Sequence, residues 1–128
     1  MRAGMVIVLI GVAILAAGPG GTAAPVEPLI VGWESIFTVS WEPAERRGRT
    51  VVQGIVANKS PYTIADLQLL LDALDANGRI LAQQVAWSPG TLPAFSQVSF
   101  EIAVRQPASS YRVRVLAFDR VESPSRAP

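Results

Sequence analysis

The feature that most constrains this chain is a period of two. Across 66–75 the odd positions Leu67, Leu69, Leu71 and Ala73 are apolar, while Asp66, Gln68 and Asp72 between them are polar. That is the pattern of a strand with one face on a core and the other toward water. Leu70 and Leu74 break it. Asn77-Gly78 follows, the pair that most often closes a tight turn because both residues tolerate positive φ. The same period recurs in 95–105, with Val98, Phe100, Ile102 and Val104 inward and Ser99, Glu101 and Ala103 outward. In 111–118 it sets Tyr111, Val113, Val115 and Ala117 against Arg112 and Arg114. No stretch carries a convincing helical period. Six or seven such segments, parted by turns rich in Pro and Gly, predict an antiparallel β-sandwich.

Taken in order, 29–42 reads as a first strand, with Val31, Trp33, Phe37, Val39 and Trp41 on one face and a break near Gly32 or Ser35. Residues 43–48 read as a charged, solvated turn. The next strand, 49–58, places Val52 and Val56 on one face, with Gly54 between them where a bulge forms or another side chain lies flat against the backbone. Residues 58–62 form a turn in which Asn58 and Ser60 can bond local backbone. Residues 79–87 read as a strand with no clear face, because apolar residues fall at both parities. Pro89 and Pro93 keep 88–93 out of any central strand. The last two strands, joined around Pro107, are expected to pair as a hairpin. Ile102 then faces Val113, and Glu101 lies across from Arg114 on the outer face.

At 128 residues the chain has room for one domain with a hydrophobic core. Arg2, the apolar run 5–17 and the small residues that follow predict a signal peptide over 1–24, cleaved after Ala23 or Ala24. The alternative is an uncleaved membrane-anchor helix spanning 3–21. Either places the domain outside the cytoplasm, periplasmic or secreted. The sandwich is expected over 25–122, with a disordered tail at 123–128. There is no Cys, which excludes disulfides, thiolate metal sites and a lipoprotein anchor. There is no His, which removes the commonest general base and the usual zinc ligand. Beyond Arg2 the charges balance, so neither nucleic acid nor an anionic membrane surface is an expected partner. Membrane contact is expected only through the N-terminal segment, if it is retained.

Few residue groups invite chemistry. Asp72, Asp75 and Asn77 before Gly78 suggest calcium, but the EF-hand spacing fails at Ala73 and Gln84, and a polar hairpin turn is the preferred reading. The carboxylate pairs Glu42/Glu45 and Asp72/Asp75 read as solvated turn residues. Lys59-Ser60 lacks the spacing that a Ser–Lys nucleophile needs. No catalytic residue, metal or cofactor is expected. Trp33, Trp41 and Trp87 are the candidate ligand or partner contacts, since exposed Trp stacks on sugar rings or anchors protein interfaces. The preferred reading is that they fill the core or close the sandwich ends.

The run Gly54-Ile55-Val56-Ala57-Asn58-Lys59-Ser60, the strand ending Leu71-Asp72-Ala73-Leu74-Asp75 and the later Pro89-Gly90-Thr91-Leu92-Pro93-Ala94-Phe95 resemble the FxLYD family across 50–121. Asp75 matches that family's Asp, while Leu71, Ala73 and Leu74 stand where it has Phe, Leu and Tyr. The resemblance implies an exported, immunoglobulin-like domain of about seven strands, acting as a non-catalytic interaction or accessory module of the bacterial cell envelope beside another envelope protein. A carbohydrate-binding module using surface Trp is the alternative expectation.

Overall fold

The computed structural model describes residues 6–9, 11–15 and 24–121. Two short strands come first, β1 (Val6–Leu9) and β2 (Gly11–Leu15). A 3-10 turn at Trp33–Ser35 precedes β3 (Phe37–Arg46), and β4 (Arg49–Asn58), β5 (Thr63–Leu74), β6 (Ile80–Leu92), β7 (Gln97–Ala103) and β8 (Ser110–Val121) follow. The last six build a β-sandwich of two three-stranded antiparallel sheets, ordered β7-β4-β3 and β6-β5-β8. The first two add to its rims, β1 parallel to β7 and β2 antiparallel to β6.

The alternation sorts side chains to the two faces as expected. Val52 and Val56, Leu69 and Leu71, Phe100 and Ile102, and Val113 and Val115 all lie fully buried in one cluster between the sheets. Phe37 and Phe118 close one flank edge to face, ring centroids 5.0 Å apart. Gly54 is required by close approach. A Cβ there would run into the Ser40 carbonyl oxygen and sit 2.9 Å from the ring of Phe100, which lies against the bare backbone.

The turns divide differently from the sequence reading. The two-residue hairpin with both φ positive is Arg47-Gly48 (53° and 77°), so β3 runs on through Pro43 to Arg46 and the charged turn shrinks to its tip. Around Asn77-Gly78 only Gly78 has positive φ (81°), and the loop is one residue longer. There the Asp75 carboxylate accepts from the Asn77 and Arg79 amides at 2.8 and 2.9 Å and from Arg79 Nε at 3.2 Å. The Arg79 amide, above the other contacts, holds this carboxyl below the usual aspartate range.

The exceptions to the period have one cause. Residues 24–30 run as a strap across the outer face of β6-β5-β8. Val26 exchanges two 2.9 Å bonds with the Gln83 side chain, and the Leu29 amide donates to the Leu116 carbonyl at 2.8 Å. Val26 packs on Leu70, Val85 and Leu116, which explains Leu70 and the mixed parity of β6. Asp72, expected on a solvated face, is 0% exposed there. Its carboxylate meets Arg112 Nε at 2.8 Å, Arg114 at 3.0 Å (Nε) and 2.7 Å (Nη2), and Gln83 Nε2 at 2.8 Å, while Arg114 Nη1 reaches Glu27 at 2.8 Å.

Four expectations are corrected. The segments around Pro107 do not form a hairpin: β7 pairs with β4 and β8 with β5, so Glu101 meets Arg46 and Arg114 meets Asp72. Their apolar faces meet across the core rather than side by side. Ala117 is not inward, because Gln68 pairs with Ala117 and Leu69 with Val115; the extra residue, Leu116, bulges the strand and turns Phe118 in. Strand β6 continues through Pro89 to Leu92, but Pro89-Gly90 form a bulge there, two residues opposite the single Asp66, where no ladder bond is needed. The expected N-terminal helix is not shown. The described parts of 1–24 are strand, consistent with β-branched Val and Ile and with two rims offering backbone partners. Among the described residues no helix is long and apolar enough to cross a membrane. The tail 123–128 lies outside the described residues.

At the Asp66 bulge, φ is +53° and Asp119 stands one pair along on β8. A side-chain hydrogen bond with Asp66, ahead of burial and charge repulsion, raises the Asp119 pKa above 3.8. The folded state therefore holds a proton that the unfolded chain releases, and stability falls as pH rises from the ordinary aspartate value through the raised one. Asp119→Asn should melt higher than the parent at neutral pH, and the gap should close as the buffer is acidified below that window. A gap independent of pH would rule out the shared proton.

Candidate functional site

Two surfaces combine exposed side chains with built geometry. The first is a groove of about 450 Å³ on the β7-β4-β3 sheet. The register lays Glu42 of β3, Gln53 of β4 and Glu101 of β7 side by side in one rung, and Ser40, Ile55 and Ser99 in the next. Arg46 ties the first rung together. Its Nε lies 3.2 Å from Glu101, its Nη2 donates to Gln53 Oε1 at 3.0 Å, and Gln53 Nε2 donates to Glu42 Oε2 at 3.2 Å. Gly54, Phe100 and exposed Ile55 line the groove; Trp41, paired with Gly54, adds to its rim, but its indole lies on the core side, bonded at 2.9 Å to the Tyr111 carbonyl on β8.

The second surface is the loop end of the sandwich. Asn58, buried at the end of β4, donates from Nδ2 to the carbonyls of Tyr62 (2.8 Å), Leu92 (3.3 Å) and Pro93 (3.0 Å). Its Oδ1 accepts from the Ser60 amide and hydroxyl at 2.9 and 2.7 Å. One side chain thus locks the 59–62 and 93–96 loops to each other. Two backbone bonds, Phe95 to Ser60 and Asn58 to Ser96, complete the clamp. The clamp presents Phe95, 71% exposed with φ at +57°. An aromatic residue in the left-handed region is strained, and the clamp around it holds it there. Exposed Tyr62, on the 59–62 loop of the same clamp, lies under the Arg120 guanidinium, 4.5 Å from the ring centre. Exposed Val121, opposite Thr63, adds to the same end.

The three tryptophans do not converge. Trp33, in the 3-10 turn, is half-buried against the core and fits the closing role. Trp41, 37% exposed at the sheet edge, keeps the inward parity and bonds across to β8, closing the gap between the sheets there. Trp87, 45% exposed on the outer face of β6-β5-β8, is not core, unlike the preferred reading. Asp72 and Asp75, read as a pair, serve separate structures, the buried arginine cluster and the turn. Among the described residues no group of three metal-ligating side chains comes together. Glu42 and Glu45 also part, Glu45 taking the Thr50 hydroxyl at 3.3 Å. Lys59 donates to the Glu34 carbonyl at 3.2 Å.

Sequence reasoning missed both surfaces. The Glu42–Gln53–Glu101 rung needs the pairing of three strands, which alternation does not supply. Asn58 carried a signal, since Asn at a strand end before Ser-Pro caps local turns, but its reach to a loop 35 residues on did not. No family model, no curated protein and no solved structure matches this chain.

Proposed function

We propose that the chain is a non-catalytic, exported interaction domain of the bacterial cell envelope that docks on another envelope protein through its loop end. The observation that carries this reading is Phe95, held out in a strained conformation by the buried Asn58 clamp. Rigid, exposed aromatics flanked by Arg are the usual anchors of protein interfaces. The strand orders support an immunoglobulin-like plan: β3-β4-β7 correspond to its A, B and E strands, and β6-β5-β8 to C′, C and F. That plan fits the FxLYD resemblance. The groove carboxylates support the non-catalytic reading, since Glu42 and Glu101 are each engaged by a neighbouring amide or guanidinium. The apolar run behind Arg2 supports export.

One experiment reads both parts. With a photoreactive phenylalanine analogue at position 95 in the native host, irradiation should give one dominant adduct with an envelope protein, lost when unlabelled parent is in excess. The chain recovered from it should be about two dozen residues short by intact mass, the length of a signal peptide. The same analogue at exposed Leu81 should give no such adduct. Equal labelling at 95 and 81 would exclude the loop end. A full-length chain that needs detergent would mean an anchor in place of a cleaved signal.

A further inference from the structure

We propose that the groove on the β7-β4-β3 sheet is a binding site for a neutral oligosaccharide. It is a different surface from the loop end and stands or falls independently of the docking reading. Its volume, about 450 Å³, lies inside the ~300–1,000 Å³ range of small-ligand clefts.

The chemistry selects the ligand. The polar rung is two carboxylates, one amide and one guanidinium, already joined as Glu101–Arg46–Gln53–Glu42. These planar groups are held in fixed positions, and each carboxylate has acceptor capacity beyond the bond it makes. A sugar hydroxyl both donates and accepts, so adjacent hydroxyls can pair with carboxylate and amide at once. The net charge of the rung is one negative, which repels phosphates, acidic sugars and nucleic acid. Arg46 between the carboxylates works against a metal ion. An extended peptide would pair along a strand edge, whereas the polar rung lies on the face of the sheet across β4, whose backbone bonds are committed to β3 and β7. The apolar side of the groove, exposed Ile55 beside the bare backbone of Gly54, suits the C–H face of a sugar ring.

The test is a screen of the intact domain on an array of neutral oligosaccharides with acidic ones as controls, followed by calorimetric titration of the best binder. At least one neutral oligosaccharide should bind saturably, at one site per chain, and no acidic analogue should bind more tightly. Gln53→Ala and Ile55→Lys should each weaken binding about tenfold or more, the effect of losing a single good contact. Trp87→Ala and Phe95→Ala should leave the affinity unchanged. The two groove variants decide the matter, each checked for a parental melting curve. Absence of binding across the neutral array, tighter binding of the acidic controls, or binding lost in Trp87→Ala but kept in Gln53→Ala would each overturn the site.

Discussion

Replacing Asp72 with Ala should destabilise the domain by about 3–5 kcal/mol, the cost of leaving a buried charge without its partner. The carboxylate has no solvent exposure and stands against two guanidiniums, Arg112 and Arg114. Arg114 is the more enclosed, with a side chain 15% exposed, and the strap above it supplies only Glu27. Arg112, at 38%, can turn toward water once released. Without Asp72, Arg114 stays under the strap with a rim carboxylate for company, and Gln83 loses one of its acceptors. The strap itself should loosen, since Gln83 carries both bonds to Val26. Thermal and urea melts measure the loss. The double variant Asp72→Leu with Arg114→Leu should recover much of it, because apolar residues in place of a buried ion pair are often tolerated. Asp75→Ala, three residues along but at a surface turn, should cost far less. Equal losses at 72 and 75 would show that the buried pair is not what holds the strap.

That cluster marks where the chain was legible and where it was not. Alternation tells which residues of β4, β5, β7 and β8 as far as the Leu116 bulge face the core, because a strand has two faces and one of them is mainly apolar. It does not tell which strands are neighbours. Ile102 and Val113 are both inward, as the alternation expects, but they meet across the core as members of different sheets. An inward face can be satisfied by either arrangement, and loop length around Pro107 does not separate them. The strap was illegible for a related reason. Residues 24–30 have no period of their own, and their effect shows only as apparent errors elsewhere: Leu70 at a polar parity, and both parities buried in β6. Both candidate surfaces depend on this missing information. The groove rung needs the β3-β4-β7 register, and the loop end needs β4 and β6 to finish at the same end of the sandwich. Trp87 departs from the preferred reading because aromatic residues mark cores on average, and it sits on an outer face.

Leu71→Ala should cost about 2–5 kcal/mol, whereas Gln68→Ala should cost well under about 1 kcal/mol. Leu71 is fully buried on the middle strand of its sheet, paired with Gln84 on one side and Val113 on the other. Its side chain belongs to the cluster that also holds Val52, Phe100 and Ile102 of the facing sheet. Truncation removes apolar contact from both layers and leaves a cavity that the strands cannot close, since β5 is hydrogen-bonded along both edges. Gln68 sits three residues earlier on the opposite face, half-buried beside Trp87 and Ala117, and no core contact depends on it. Comparing the two therefore tests the face assignment of β5. Leu70→Ala extends the test: although at the polar parity, it is fully buried beneath Val26 with Val85 and Leu116. It should behave as a core residue, costing more than Gln68→Ala. Urea midpoints at unchanged slope read all three. If Leu70→Ala is as mild as Gln68→Ala, the strap does not cover the sheet in solution; if Leu71→Ala is equally mild, the face assignment of β5 is wrong.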